Sequence, residues 1–174
     1  RVYESIVVEL RRLVSFDYAA VSLLREGESG EAVVFETRQL WPELQDGREA
    51  APRIDREESC AAKVADRERP LVLDDLDSER EAYAGQFPRG IRSALCVPLY
   101  ASGGIVGTLN LGSGQAGDFD ARKVEAVEQI TPHVAVAIRN TMLLDNLQQS
   151  LDEVNRAREE LREANEELKT LDEM

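Results

Sequence analysis

The sequence predicts an α+β fold, an antiparallel sheet flanked by helices on both faces, followed by one long C-terminal helix. Three observations carry that prediction. Helical periodicity opens the chain and governs everything after Asp120. Between these ends, short apolar and β-branched stretches alternate with turn residues, and one of the stretches is apolar on both of its sides. The length of 174 residues, with 43% apolar and 32% charged side chains, suits one domain with a sizeable core.

Residues 1–14 place Val2, Ile6, Val7, Leu10, Leu13 and Val14 at helical spacing, with Glu4, Glu9, Arg11 and Arg12 between them. Tyr18 to Leu24 and Glu31 to Leu40 read as a hairpin, with Gly27 and Gly30 supplying turn chemistry in the gap. Trp41 to Asp55, which contains two prolines and a glycine, reads as loop. Glu57 to Asp66 predicts a short helix that stops before Pro70. Leu71 to Leu73 is a short strand that runs into Asp74-Asp75, and the segment to Gly90 reads as irregular or weakly helical.

Ile91 to Tyr100 and Ile105 to Leu111 are predicted strands joined across Ser102-Gly103-Gly104, whose glycines admit the positive φ of a tight hairpin. In the first, Ile91, Ser93, Leu95, Val97 and Leu99 point one way, and Arg92, Ala94, Cys96 and Pro98 the other. Both sets are largely apolar, so the strand is covered on both faces. Pro98 lacks an N–H and therefore belongs at an edge, a bulge or a non-bonded position.

From Asp120 the pattern is helical to the end, with Asp118 or Asp120 as the cap. Val124, Val127, Ile130, Val134, Ala137, Ile138 and Thr141 form a wide stripe suited to packing on a sheet. Beyond this the stripe narrows. Leu144, Leu147, Leu151, Val154, Leu161 and Leu168 take a and d positions of a heptad, with Arg158 and Asn165 at the remaining a positions. The spacing predicts a parallel coiled-coil homodimer over 144–174 after a globular domain over 1–143. Asn165 sets its register, and a change of phase near Leu168 and Leu171 suggests a stutter.

Charge narrows the function. A formal net charge of −13 lacks the basic face that nucleic acid requires, and it disfavours anionic membrane surfaces for the same reason. No run approaches the roughly 18 apolar residues of a membrane span. Two cysteines make no disulfide framework, which points to a reducing cytoplasm. The helical pattern running to the last residue predicts a piece of a longer polypeptide, with a covalently linked output domain.

Several segments resemble a GAF domain in their order and spacing. These are the amphipathic first helix and hairpin, Ser59-Cys60-Ala61-Ala62-Lys63-Val64-Ala65 followed by Arg69-Pro70-Leu71, Gly90 to Leu99, Gly103 to Leu111, Asp118-Phe119-Asp120, and Ile130 to Ile138. The resemblance covers roughly residues 1–143. It implies a small-molecule-sensing and dimerisation module with a ligand pocket on one side of the sheet. The tail resembles the signalling helix of such proteins, and residues 163–174 resemble the lead-in to the phosphoacceptor helix of a sensor histidine kinase, bacterial or archaeal. The parent would then be a two-component kinase, and this chain itself no enzyme.

Candidate ligand-binding residues are Ser59, Cys60, Asp74, Arg92 and Cys96. Each has a plainer reading. Cysteine is a common small core residue. Arg92 has Asp74, Asp75 and Asp77 as ion-pair partners. His133 is the sole histidine and reads as a helix-surface residue, and no metal site or required cofactor emerges. The bilin-binding signature is missing, as is the cyclic-nucleotide pattern, since Leu111 follows Asn110 and Phe119 lacks a trailing Asp-Glu. Two alternatives remain. One is a free-methionine-sulfoxide reductase with Cys96 as nucleophile and Cys60 as resolver; the other is a ligand-free dimeric spacer in a cyclase or transcription regulator.

Overall fold

The computed structural model describes residues 2–26, 33–42, 59–79, 83 and 86–172. Gly27, Gly30 and the predicted loop after Pro42 lie outside the described residues. The chain divides into two compact units, Arg1–Ile138 and Arg139–Met174.

In the first unit, helix α1 (Val2–Leu13) precedes the antiparallel pair β1 (Tyr18–Glu26) and β2 (Val33–Trp41). Helix α2 (Cys60–Arg67) and the short strand β3 (Leu71–Leu73) follow, and then β4 (Ser93–Ala101) and β5 (Gly104–Ser113). All five strands join one antiparallel sheet in the order β2-β1-β5-β4-β3. Helix α3 (Ala121–Asp172) begins in this unit, where it buries Val127, Val134, Ala135 and Ile138. Its cap is Asp120, whose carboxylate accepts the Lys123 N–H at 2.9 Å, while Asp118 forms an ion pair with the Lys123 ammonium.

The sheet is covered on both sides. On one face Val21, Leu95, Val97, Leu99, Leu109 and Leu111 are fully buried. Helix α1 lies on that face: the Arg11 guanidinium stacks 4.0 Å from the Trp41 ring centroid, and Arg38 of β2 sits 4.5 Å from the Tyr3 ring. Ile6, Val7 and Leu10 form its buried stripe. The other face belongs to α2.

Local chemistry explains the joints. The β4–β5 turn has two central residues, Ser102 and Gly103, with φ of 53° and 83°. Two positive φ values suit the type I′ turn that matches strand twist, and Ser102 supplies one of them, while Gly104 already belongs to β5. Pro98 faces Thr108 on β5, whereas the β3 pairing reaches only Cys96, so β4 is locally an edge there. Gly107 marks a close approach, because a Cβ there would overlap the carbonyl oxygen of Ser22 and come within 3.1 Å of Leu23 Cα.

The second unit is helical to Asp172. Leu144, Leu147, Leu151, Val154, Leu161 and Leu168 are 48–68% exposed in the single chain. Beside them Arg162 reaches Glu159 at 3.2 Å and Glu166 at 3.7 Å, ordinary ion pairs one turn apart. Arg158 and Asn165 are also exposed. No helix among the described residues is long and apolar enough to cross a membrane.

Candidate functional site

Strand register builds the face beneath α2 in three rows. Thr37, Ser22, Thr108 and Pro98 stand side by side across β2, β1, β5 and β4. The next row is Gln39, Ala20, Asn110, Cys96 and Leu71, and the third is Tyr18, Gly112, Ala94 and Leu73. The first two rows carry a polar network. Asn110 Nδ2 donates to Ser22 Oγ at 2.8 Å, the Ser22 and Thr37 hydroxyls bond at 2.8 Å, and Thr108 Oγ1 donates to Asn110 Oδ1 at 3.1 Å. Ser22, Thr108 and Asn110 are all buried. Among the described residues no buried side-chain nitrogen or oxygen lacks a partner.

The third row is apolar and aromatic. Tyr18, Leu73, Leu76, Tyr83, Ile91 and Ala94 cluster with Cys60 and Val64 of α2, and Phe87 meets Tyr18 edge-on at 6.1 Å. Gly112 keeps this end open for them, since a Cβ there would stand 2.8 Å from Ile91 Cγ2. Burial pushes the Tyr18 phenol up to about 12, with Cys96 adding to the effect. Lys63 closes over the cluster, its ammonium 4.4 Å from the Tyr83 ring centroid and donating to the Tyr83 hydroxyl at 3.2 Å.

Helix α2 is held in place at both ends. Ser59 is its N-cap, its hydroxyl accepting the Ala62 N–H at 3.0 Å. The Cys60 N–H is taken by Gln86 Oε1 at 2.8 Å. At the far end Glu68 adopts the left-handed region, with φ 53°, and its N–H bonds back to Val64. Ala61, Ala62 and Ala65 pack with Leu24, small side chains that let the helix sit close to the sheet.

The structure brings Cys60 and Cys96 together and sets Ser59 beside them as the helix cap. Both thiols are buried. The Cys96 pKa is pushed well above the usual thiol value, first by the hydrogen bond with Cys60, then by burial and by the Cys60 charge. Asp74 and Arg92 stand apart from this group. Asp74 is exposed, with its carbonyl accepting the Gly117 N–H at 2.8 Å. Arg92 is exposed one residue ahead of β4, and its Nε donates to Asp77 Oδ2 at 3.2 Å, the plainer of its two readings. His133 is exposed on α3. The network of Ser22, Thr37, Thr108 and Asn110 is absent from the sequence expectations. Its one advance signal was an asparagine inside an otherwise apolar strand, a position where asparagine is depleted.

Comparison with known proteins places this architecture. No curated protein sequence matches the chain. Among solved structures, the GAF domain of a two-component sensor histidine kinase from Bacillus halodurans is similar at TM-score 0.65 and 24% identity, covering 83% of this chain and 95% of that one. The type II free methionine-R-sulfoxide reductase from Thermoplasma acidophilum is similar at TM-score 0.60 and 14% identity, covering 80% and 92%. The GAF domain of a phosphoenolpyruvate-protein phosphotransferase from Coxiella burnetii is similar at TM-score 0.60 and 17% identity, covering 83% and 84%. At these identities the likeness is one of fold. The sequence model of the GAF domain matches residues 1–139, so this chain belongs to the GAF domain family.

Proposed function

We propose that the chain is a small-molecule-sensing and dimerisation module of a two-component sensor histidine kinase, working in the cytoplasm and relaying its state through the helix of residues 144–174. The observation that carries this reading is the row of exposed leucines at a and d spacing on α3, from Leu144 to Leu168, with Asn165 at an a position. A second copy of the same helix is the partner such a seam fits. A ligand on the α2 face acts through its differential affinity for two arrangements of the dimer. The fold of the kinase GAF domain from Bacillus halodurans supports the assignment at the level of architecture.

The test joins stoichiometry to geometry. Sedimentation equilibrium is expected to give a dimer, and Leu161→Cys, at a d position, is expected to cross-link to its own mate under mild oxidation, as only a parallel in-register pair allows. A monomer, or a dimer that resists this cross-link, refutes the coil. Fused to its kinase, Asn165→Leu should bias autophosphorylation. The reductase reading draws less support, because an attacking thiolate at Cys96 is opposed by full burial and by a raised pKa. Turnover of free methionine sulfoxide that Cys96→Ser abolishes would reinstate it.

A further inference from the structure

The d positions of α3 do not begin at Leu147. Counting back by sevens from Leu168 passes Leu161, Val154 and Leu147, and then reaches Asn140 and His133, the latter within the first compact unit. At 3.6 residues per turn, Gln129, His133, Val136, Asn140, Leu143 and Leu147 fall within about 40° of one line along the helix. These side chains are all exposed, Val136 at 52% and Leu143 at 53%, whereas Val134, Ala135 and Ile138 are buried in the core. The stripe carries no Asp, Glu, Lys or Arg, in a chain where those residues make up 32%. Depletion of formal charge marks the centre of a protein–protein contact.

We infer, resting on the parallel dimer proposed above, that the second copy covers this stripe back to His133, so that the two His133 imidazoles meet across the twofold axis and make the dimer proton-sensitive. A parallel in-register pair sets each d residue opposite its own mate. Histidine is the side chain whose ordinary pKa, about 6.5, places its charge change between about pH 5 and 8. A neutral imidazole donates at one ring nitrogen and accepts at the other, so two neutral rings suit each other across the axis. Two imidazolium rings bring like charges together and out of water. Nothing beside them offsets that charge. One turn away on the same helix stand Gln129, Ile130, Val136 and Ala137, none of them charged, and the second copy brings the same set. The nearest formal charges along α3, Glu128 and Arg139, lie about 80–100° off the line of the stripe. Among the described residues, no side chain of another element forms an ion pair or hydrogen bond with the His133 ring. Association that favours the neutral ring lowers its pKa in the dimer, so the dimer is at full strength above about pH 6.5 and weakens as pH falls below it.

The test is sedimentation equilibrium of the purified chain against pH, joined to a cross-link. Between about pH 7.5 and 5.5 the neutral fraction of an imidazole with pKa about 6.5 falls roughly tenfold, so the dimer Kd should rise about tenfold, or about 100-fold if both rings must be neutral. His133→Gln should remain dimeric and lose this rise, its Kd changing by less than about threefold over the same range. His133→Cys should cross-link to its own mate under mild oxidation, as Leu161→Cys is expected to do. If Leu161→Cys links and His133→Cys does not, the coil stands and the extension of its seam to His133 is overturned. If both link but the parent dimer does not weaken in acid, or His133→Gln weakens as much as the parent, the proton-sensitive pair is overturned. Failure of Leu161→Cys to link, or a monomer at about pH 7.5, removes the dimer itself and this inference with it.

Discussion

Replacing Asn110 by leucine tests whether the buried network on the α2 face stabilises the sheet. The side chain makes two hydrogen bonds, to Ser22 and from Thr108. Each is worth about 1 kcal/mol net, and stranding a buried hydroxyl costs about 1–3 kcal/mol. Ser22 keeps Thr37 as a partner, but Thr108 is fully buried and loses its acceptor. Asn110→Leu should therefore lower stability by about 2–3 kcal/mol. Removing both polar ends together relieves the stranded group, so Asn110→Leu with Thr108→Val should recover about 1 kcal/mol or more relative to the sum of the single changes. The assay is urea unfolding followed by far-UV circular dichroism at one fixed protein concentration, so that any self-association contributes equally. A single variant within about 0.5 kcal/mol of the parent, or a double variant that is simply additive, refutes the reasoning.

Four other outcomes are expected. Gly107→Ala should cost about 1–3 kcal/mol in the same assay, since the new methyl group meets the backbone of β1 at Ser22 and Leu23; an unchanged midpoint would contradict the close approach. Tyr18→Phe should flatten the alkaline limb of stability. The folded phenol at about 12, against about 10 unfolded, gives stability that is full below pH ~10 and lost as pH rises through ~12, on the order of 2–3 kcal/mol. Asp118→Asn should destabilise by about 0.5–1 kcal/mol at neutral pH. The Lys123 hydrogen bond lowers the Asp118 pKa, so this stability is present above the unfolded pKa and fades as pH falls through the folded one; a wild-type-to-variant gap that persists in acid would count against it. Asn165→Leu should tighten self-association about tenfold or more by removing a polar a residue, as read by sedimentation equilibrium.

The elements that local pattern determines were legible. Ile6, Val7 and Leu10 lie on one helical stripe. The two apolar sides of β4 are both covered, and the β4–β5 turn falls where its glycine and serine lie. The α2 start was placed early, at Glu57, whereas the helix begins at Cys60 because Ser59 caps it. The polar network was not legible for a different reason. Ser22 and Asn110 are 88 residues apart, and the β1–β5 register that pairs Ala20 with Asn110 has no local signature. Arg92 illustrates the same limit: alternation puts it on the α2 side of its strand, but it sits one residue ahead of β4, exposed and paired with Asp77.

A face whose polar atoms already satisfy one another also constrains what it can recognise. A ligand that displaces Ser22 or Thr108 from Asn110 gives up one internal bond for each it gains, so the net yield of that exchange is the small difference between two similar bonds. Selectivity then rests on shape and on bringing a donor and an acceptor in the arrangement Ser22 and Thr108 now present. A molecule that displaces both partners and replaces only one of them leaves a polar group stranded. Under the sensing role proposed above, such an exchange would reject near-analogues strongly while holding the correct occupant loosely, a combination suited to reporting a concentration and then letting go.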